Sequence, residues 1–257
     1  MPPMWAQAAR TSEMGSEDPK PETVVAMPLR QRLRSGLGSK AFWRRRVRNV
    51  PQVKPGSILL ARHGKSALSR TVWLSAEGYR QWWGQYDTVG LDATRQPPAR
   101  FLAFAEQADV IYCSTLLRSQ ETAAQAASGR PVQSDVVFIE APLPPPNMPN
   151  WFRLMPRIWG AVARVNWMLG GHGDGETARD ARLRARQAAE RLLAEVKNDQ
   201  VVMLVAHGWF NRMIGQELKK LGWACTDDGG FKHWAVRLFE PRAAGVEDMS
   251  PPQPGGS

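Results

Sequence analysis

SILLARHGKS, residues 57–66, is an apolar run of strand length that ends in a cation, an imidazole and a glycine. The same pattern recurs along the chain. VVMLVA (201–206) runs into His207-Gly208, and VIYCS (110–114) runs into Thr115 with Arg118 four residues beyond the serine. VQSDVVFI (132–139) runs into Glu140, and HWAVRLFE (233–240) reads as a last strand. Short continuous apolar runs of this kind suit strands buried on both faces. Helical patterns lie between them: one from Ser75, others over 116–127, 177–197 and 209–223. Strands alternating with helices predict a three-layer α/β/α sandwich with a mostly parallel sheet. In such sheets ligands bind beyond the carboxyl ends of the strands, where this pattern delivers Arg62, His63, Ser114, Glu140 and His207.

These residue types suit a phosphate monoester. A dianion calls for fixed positive charge, and Arg62 and Arg118 each offer a planar fork that matches phosphate oxygens. A neutral imidazole can attack phosphorus, and neighbouring guanidinium groups oppose its protonation. His207 can donate to oxygens that gain charge in the transition state. Gly64 and Gly208 permit close backbone approach, and Glu140 can protonate a leaving alkoxide. His-Gly alone is a weak signal, since a third copy, His172-Gly173, lies in a glycine-rich loop. His172 and His233 read as structural. Cys113, at a strand end, reads as a small buried hydrophobe.

With these residues in place, the chain resembles the histidine phosphatase, or phosphoglycerate mutase-like, superfamily. LLARHGKS resembles its strand followed by Arg-His-Gly. IYCSTLLRSQETA resembles its second-arginine segment, FIEAPL the segment with its proton donor, GET (175–177) its helix opening, and VVMLVAHGWFNRMI its second His-Gly. These segments fall in the family's order over roughly residues 57–240. The resemblance implies His63 as nucleophile, Arg62, Arg118 and His207 as the phosphate pocket, and Glu140 as acid, with no cofactor and no metal. It implies a phosphomonoester hydrolase working through a phosphohistidine; the alternatives are a mutase-type phosphotransferase and a non-catalytic phosphate binder of the same fold.

Several positions depart from the family pattern. Lys65 stands where many members carry Glu, Gln or Asp, which weighs against mutase chemistry, and it is a reserve candidate for the site. Ser69 occupies a position where mutase-like members often present Asn to phosphate, and Thr115 replaces a proline. Glu176 either favours the dipole of the helix it opens or competes with Glu140 as the acid. The segment 141–176 is read as a divergent cap. Its helix either buries Trp159 and Trp167 against the body or serves as a lid whose aromatics and arginines select the leaving group.

The net charge of the 257 residues is +10, but residues 27–56 alone carry +9 and residues 1–26 carry −2, leaving +3 for the remainder. The high pI therefore belongs to a leader, 1–56, and not to the 57–240 body. That leader is expected to be flexible. Its basic part is read as a solvated arm, a contact for anionic lipid or nucleic-acid surfaces, or a transit segment, and Met27 is a second candidate start. No motif for specific nucleic-acid recognition accompanies it. Two cysteines outside any metal-ligand spacing, and the lack of a long apolar run, point to a reducing cytoplasm. Residues 241–257, rich in Pro, Gly and Ser, are expected to be a flexible tail. The expected partner is a phosphorylated substrate, either a small molecule or a phosphoprotein.

Overall fold

A computed structural model describes residues 50–172 and 175–242. The flexible-leader expectation for residues 1–49 and the tail beyond 242 lie outside the described residues, as do Gly173 and Asp174. The elements run β1 (Ile58–Arg62), α1 (Ala76–Thr88), α2 (Ala99–Ala105), β2 (Val110–Cys113), α3 (Leu117–Ala127), β3 (Gln133–Ser134), α4 (Pro156–Met168), α5 (Ala178–Val196), β4 (Val202–Ala206), α6 (Gly208–Lys220), β5 (Trp223–Asp228) and β6 (Val236–Pro241). The strands form one sheet in the order β3-β2-β4-β1-β6-β5. β3, β2, β4 and β1 run parallel, while β6 is antiparallel to both β1 and β5.

The period of two along β1 divides the core. Ile58 and Leu60, with Leu204 and Ala206, pack under α5 and α6. Leu59 and Ala61, with Ile111 and Val205, pack under α2 and α3. Successive strand side chains point to opposite faces, so each central strand buries both faces and the expected three layers result. A third cluster joins α1 to α4 through Tyr79, Trp82, Tyr86 and Trp159. The segment 141–176, read as a cap, packs against α1, and Leu74 bridges Leu154. Trp159 and Trp167 are both buried. Local chemistry starts the helices where the sequence implies. The Ser75 hydroxyl accepts the Gly78 N–H at 3.1 Å, and that of Thr177 accepts the Asp180 N–H at 3.1 Å.

The structure corrects three expectations and adds one helix. VQSDVVFI is not a strand of eight residues: only Gln133–Ser134 pairs, and Val136–Phe138 forms a 3₁₀ turn. The Asp135 carboxylate accepts the Val137 N–H at 2.9 Å and bends the chain out of the ladder. The helix expected over 209–223 ends at Lys220, and Trp223 opens a strand; Gly222, with φ +87°, breaks the helical run. Helix α2 was not foreseen, being only seven residues long. Lastly, the end of the expected leader packs on the body: Val53 is buried, and its N–H donates to Gln107 Oε1 at 2.9 Å.

Candidate active site

Register assembles the site. Arg62 pairs with Ala206 across β1 and β4, and Cys113 pairs with Val205 across β2 and β4. The next residues, His63, His207 and Ser114, therefore leave the sheet side by side. Neighbouring strands lie about 4.8 Å apart, and the His63 and His207 rings are 5.1 Å apart. All three residues are buried.

A hydrogen bond sets the His63 tautomer. His63 Nδ1 lies 2.7 Å from the Gly64 carbonyl oxygen, which can only accept, so Nδ1 carries the proton and Nε2 keeps its lone pair. Ser114 Oγ accepts the Leu116 N–H at 3.2 Å and lies 2.7 Å from His207 Nε2, so its own proton can go to that nitrogen. His207 Nδ1 then carries a proton, and it has no partner in the protein. Burial pushes both imidazoles well below their usual pKa. His207, Arg118 and Arg62 add to this at His63, and Arg118, Arg62 and Arg184 at His207.

Arg62 donates from Nη1 to the Phe231 carbonyl at 2.6 Å, leaving Nε buried and unpartnered. A Cβ at Gly208 would lie 3.2 Å from that Nε, so the glycine keeps room for the guanidinium. Arg118 is fully buried, lies 4.2 Å above the Tyr86 ring, and donates to the Tyr86 carbonyl and to Asp87 Oδ1 at 3.1 Å. Its Nε is also without a partner. Thr122 Oγ1 accepts the Gly64 N–H at 2.9 Å and donates to the Arg118 carbonyl at 2.7 Å, joining the loop after β1 to α3.

Glu140 arrives from a turn, not a strand, and its two oxygens accept the N–H groups of Ala141, Phe210 and Trp209. It thus sits at the N-terminus of α6, the helix that His207 caps. Burial lowers Arg164 to about 10, with Glu140 and Tyr79 opposing, and its guanidinium lies 4.5 Å over the Trp209 ring. Glu176, the rival acid, is paired through both oxygens with Arg184 at 2.7 and 2.8 Å. The same arginine grips the carbonyls of Val137 and Ile139, just before Glu140.

Two candidates stand apart from this cluster. Ser69 is exposed and bonds Thr71, and Lys65 pairs with Asp92 at 3.0 Å. Burial raises the Cys113 thiol to about 11, as suits a core residue. Arg70, with an unpartnered buried Nε, had no place in the sequence reading, and His233, read there as structural, has its ring 5.6 Å from that of His63. A basic residue seven positions after a strand-end histidine is a faint signal for Arg70; no apolar run ends in His233, so nothing in the sequence set it apart from a structural histidine. Among the described residues, no group of three or more His, Cys, Asp or Glu is arranged to hold a metal, and no helix is long and apolar enough to cross a membrane.

The neutral, buried histidines give a stability prediction. Their folded pKa values lie below the unfolded value of about 6.5. Below that pH the unfolded chain takes up protons that the fold refuses, so stability falls with acidity. His63 and His207 should each contribute a loss of up to about 1.4 kcal/mol per pH unit. Urea midpoints from pH 7 to pH 5 should drop steeply in the wild type and less steeply in His207→Gln. Equal slopes would show that His207 is not refused its proton.

Residues 58–245 match the family model described as the histidine phosphatase superfamily, branch 1. No curated protein matches the sequence. Similar solved structures include a mycobacterial glucosyl-3-phosphoglycerate phosphatase, 24% identical over 64% of this chain and 79% of its own, with a TM-score of 0.43. A phosphoserine phosphatase mutant from Entamoeba histolytica is 18% identical over 64% of this chain and 80% of its own, with a TM-score of 0.40. A putative alpha-ribazole-5′-P phosphatase from Escherichia coli is 19% identical over 65% and 79%, with a TM-score of 0.40.

Proposed function

The chain belongs to the histidine phosphatase superfamily, and from that premise we propose that it hydrolyses phosphomonoesters through a phosphohistidine on His63. The reading rests most on one observation: around the His63 ring, Arg62 Nε, Arg118 Nε and His207 Nδ1 are buried donors without a partner in the protein. Unsatisfied buried donors are rare in folded proteins. Three around one neutral imidazole suit a bound phosphoryl group, which can accept from all of them.

In the proposed reaction His63 Nε2 attacks phosphorus as the ester P–O bond breaks. The leaving oxygen takes its electrons and a proton from Glu140. Water then attacks the phosphohistidine, the P–N bond breaks, and its electrons return to Nε2. The proton lost by water restores Glu140, and the products are an alcohol and inorganic phosphate. Arg62, Arg118 and His207 stabilise charge on the phosphoryl oxygens. Rapid acid quench with a radiolabelled substrate tests this reading, since labelled, acid-labile phosphate should appear on the wild-type chain. Turnover without such a label would remove the covalent step.

Glu140 is the acid we propose, since Arg184 occupies both oxygens of Glu176. A proton donor helps most when the leaving group is strongly basic. Glu140→Gln should therefore slow phosphoenzyme formation from alkyl phosphates by about 100-fold or more, and from nitrophenyl phosphate much less. Pre-steady-state kinetics of Glu140→Gln beside Glu176→Gln decides the matter. A leaving-group-dependent defect in the Glu176 variant alone would reassign the acid.

A further inference from the structure

We propose that His233 is a third imidazole of the site and contacts the phosphoryl group directly. This rests on the proposed chemistry at His63 and adds a binding residue to it.

The placement begins with strand direction. β6 runs antiparallel to β1, so its start meets the end of β1. The Arg62 N–H donates to the Ala235 carbonyl at 3.0 Å, and the Trp234 N–H donates to the Arg62 carbonyl at 3.1 Å. Trp234 adopts φ +65°, a left-handed backbone that a bulky residue seldom takes. Its ring packs against Gly64 and Phe101. A Cβ on Gly64 would lie 2.3 Å from that ring, so the indole fills the space the glycine leaves, and it meets Phe101 edge-on at 5.0 Å. Strain of this kind persists where surrounding packing enforces it, and it gathers at functional sites. Here it carries His233 to 5.6 Å from the His63 ring.

His233 Nε2 is buried and bonds nothing in the protein. Its surroundings narrow the ligand. Burial, then Arg62, Arg70, Lys65 and Arg157, hold the imidazole at about 3, so it is neutral near pH 7. Of these cations Arg62 and Arg70 each keep a buried Nε without a partner, so a ligand that meets them beside His233 is an anion, and a neutral N–H can bind it without adding another fixed charge. Arg62 is shared between His233 and the proposed phosphate pocket, so the phosphoryl group there is the anion within reach.

The test uses the full chain with orthovanadate and inorganic phosphate as probes, and it compares His233→Ala with His233→Asn. The alanine variant should lose about 100-fold in kcat/KM, the usual scale for one transition-state donor, and vanadate inhibition should weaken by a similar factor at a nearly unchanged Tm. Asparagine keeps an N–H donor and should recover part of the loss. Vanadate affinity and kcat/KM within twofold of wild type in His233→Ala would overturn the inference. So would a fall in Tm and turnover with vanadate affinity intact, which marks a purely structural role. The premise fails separately: if the wild-type chain forms no acid-labile phosphoenzyme, His63 is not the nucleophile, whereas calorimetric loss of phosphate binding in His233→Ala would still support the contact.

Discussion

Replacing His63 with alanine is expected to abolish turnover on every phosphomonoester that the wild-type chain hydrolyses. Removing the covalent nucleophile of a hydrolase costs on the order of 10⁶-fold in kcat, which here means a fall to background. The fold should survive. His63 makes one side-chain hydrogen bond, to the carbonyl of its own neighbour Gly64, so its loss costs the small cavity it leaves and little else. Backbone bonds keep the loop in place without it, because His63 N–H donates to Ala206 and Gly64 N–H donates to Thr122. Tm should therefore stay within about 5 °C of wild type, and inorganic phosphate should still bind. Measurable turnover by a folded His63→Ala chain, free of contaminating phosphatase, would sink the proposed mechanism.

The second large effect is expected at Arg118. Arg118→Ala should lose roughly 2–4 kcal/mol of transition-state stabilisation, the usual value of one preorganised donor, and Arg118→Lys should lose less. Lysine keeps the charge but not the planar fork or its stacking on Tyr86. Stability must be separated from catalysis here, since Arg118 also pairs with Asp87. Burial raises the Asp87 pKa and Arg118 opposes that rise, so the alanine variant leaves an uncompensated carboxylate and should melt earlier. Adding Asp87→Asn to Arg118→Ala should restore Tm but not kcat/KM. If the single alanine variant matched wild-type kinetics, Arg118 would be a structural residue and would leave the proposed pocket.

The central strands and the helix starts were legible because they obey local rules. β1, β2 and β4 are apolar runs ended by polar residues, and Ser75 and Thr177 cap the helices they precede. The strand drawn over 132–139 failed for the opposite reason. An apolar run does not disclose that Asp135 will bend the backbone, or that Phe138 is the only buried residue of the 3₁₀ turn. The cap was legible only as an insert. Its Trp159 packs with Tyr79, Trp82 and Tyr86, which come from a segment about 70 residues away.

By itself the sequence determined the three-layer α/β/α sandwich and the convergence of Arg62, His63, Ser114 and His207 at one sheet edge. Strands joined by helices run parallel, and a parallel strand that ends in a polar residue delivers it to that edge. Tertiary structure decided the rest. Only packing shows Glu140 at the start of α6, Glu176 bound to Arg184, and Lys65 and Ser69 turned to partners of their own. Only the antiparallel return of β6, across some 170 residues, brings His233 to His63. Strand direction and register are settled by which faces bury together, and that choice is global: no window of sequence around His233 contains the residues that fix its place.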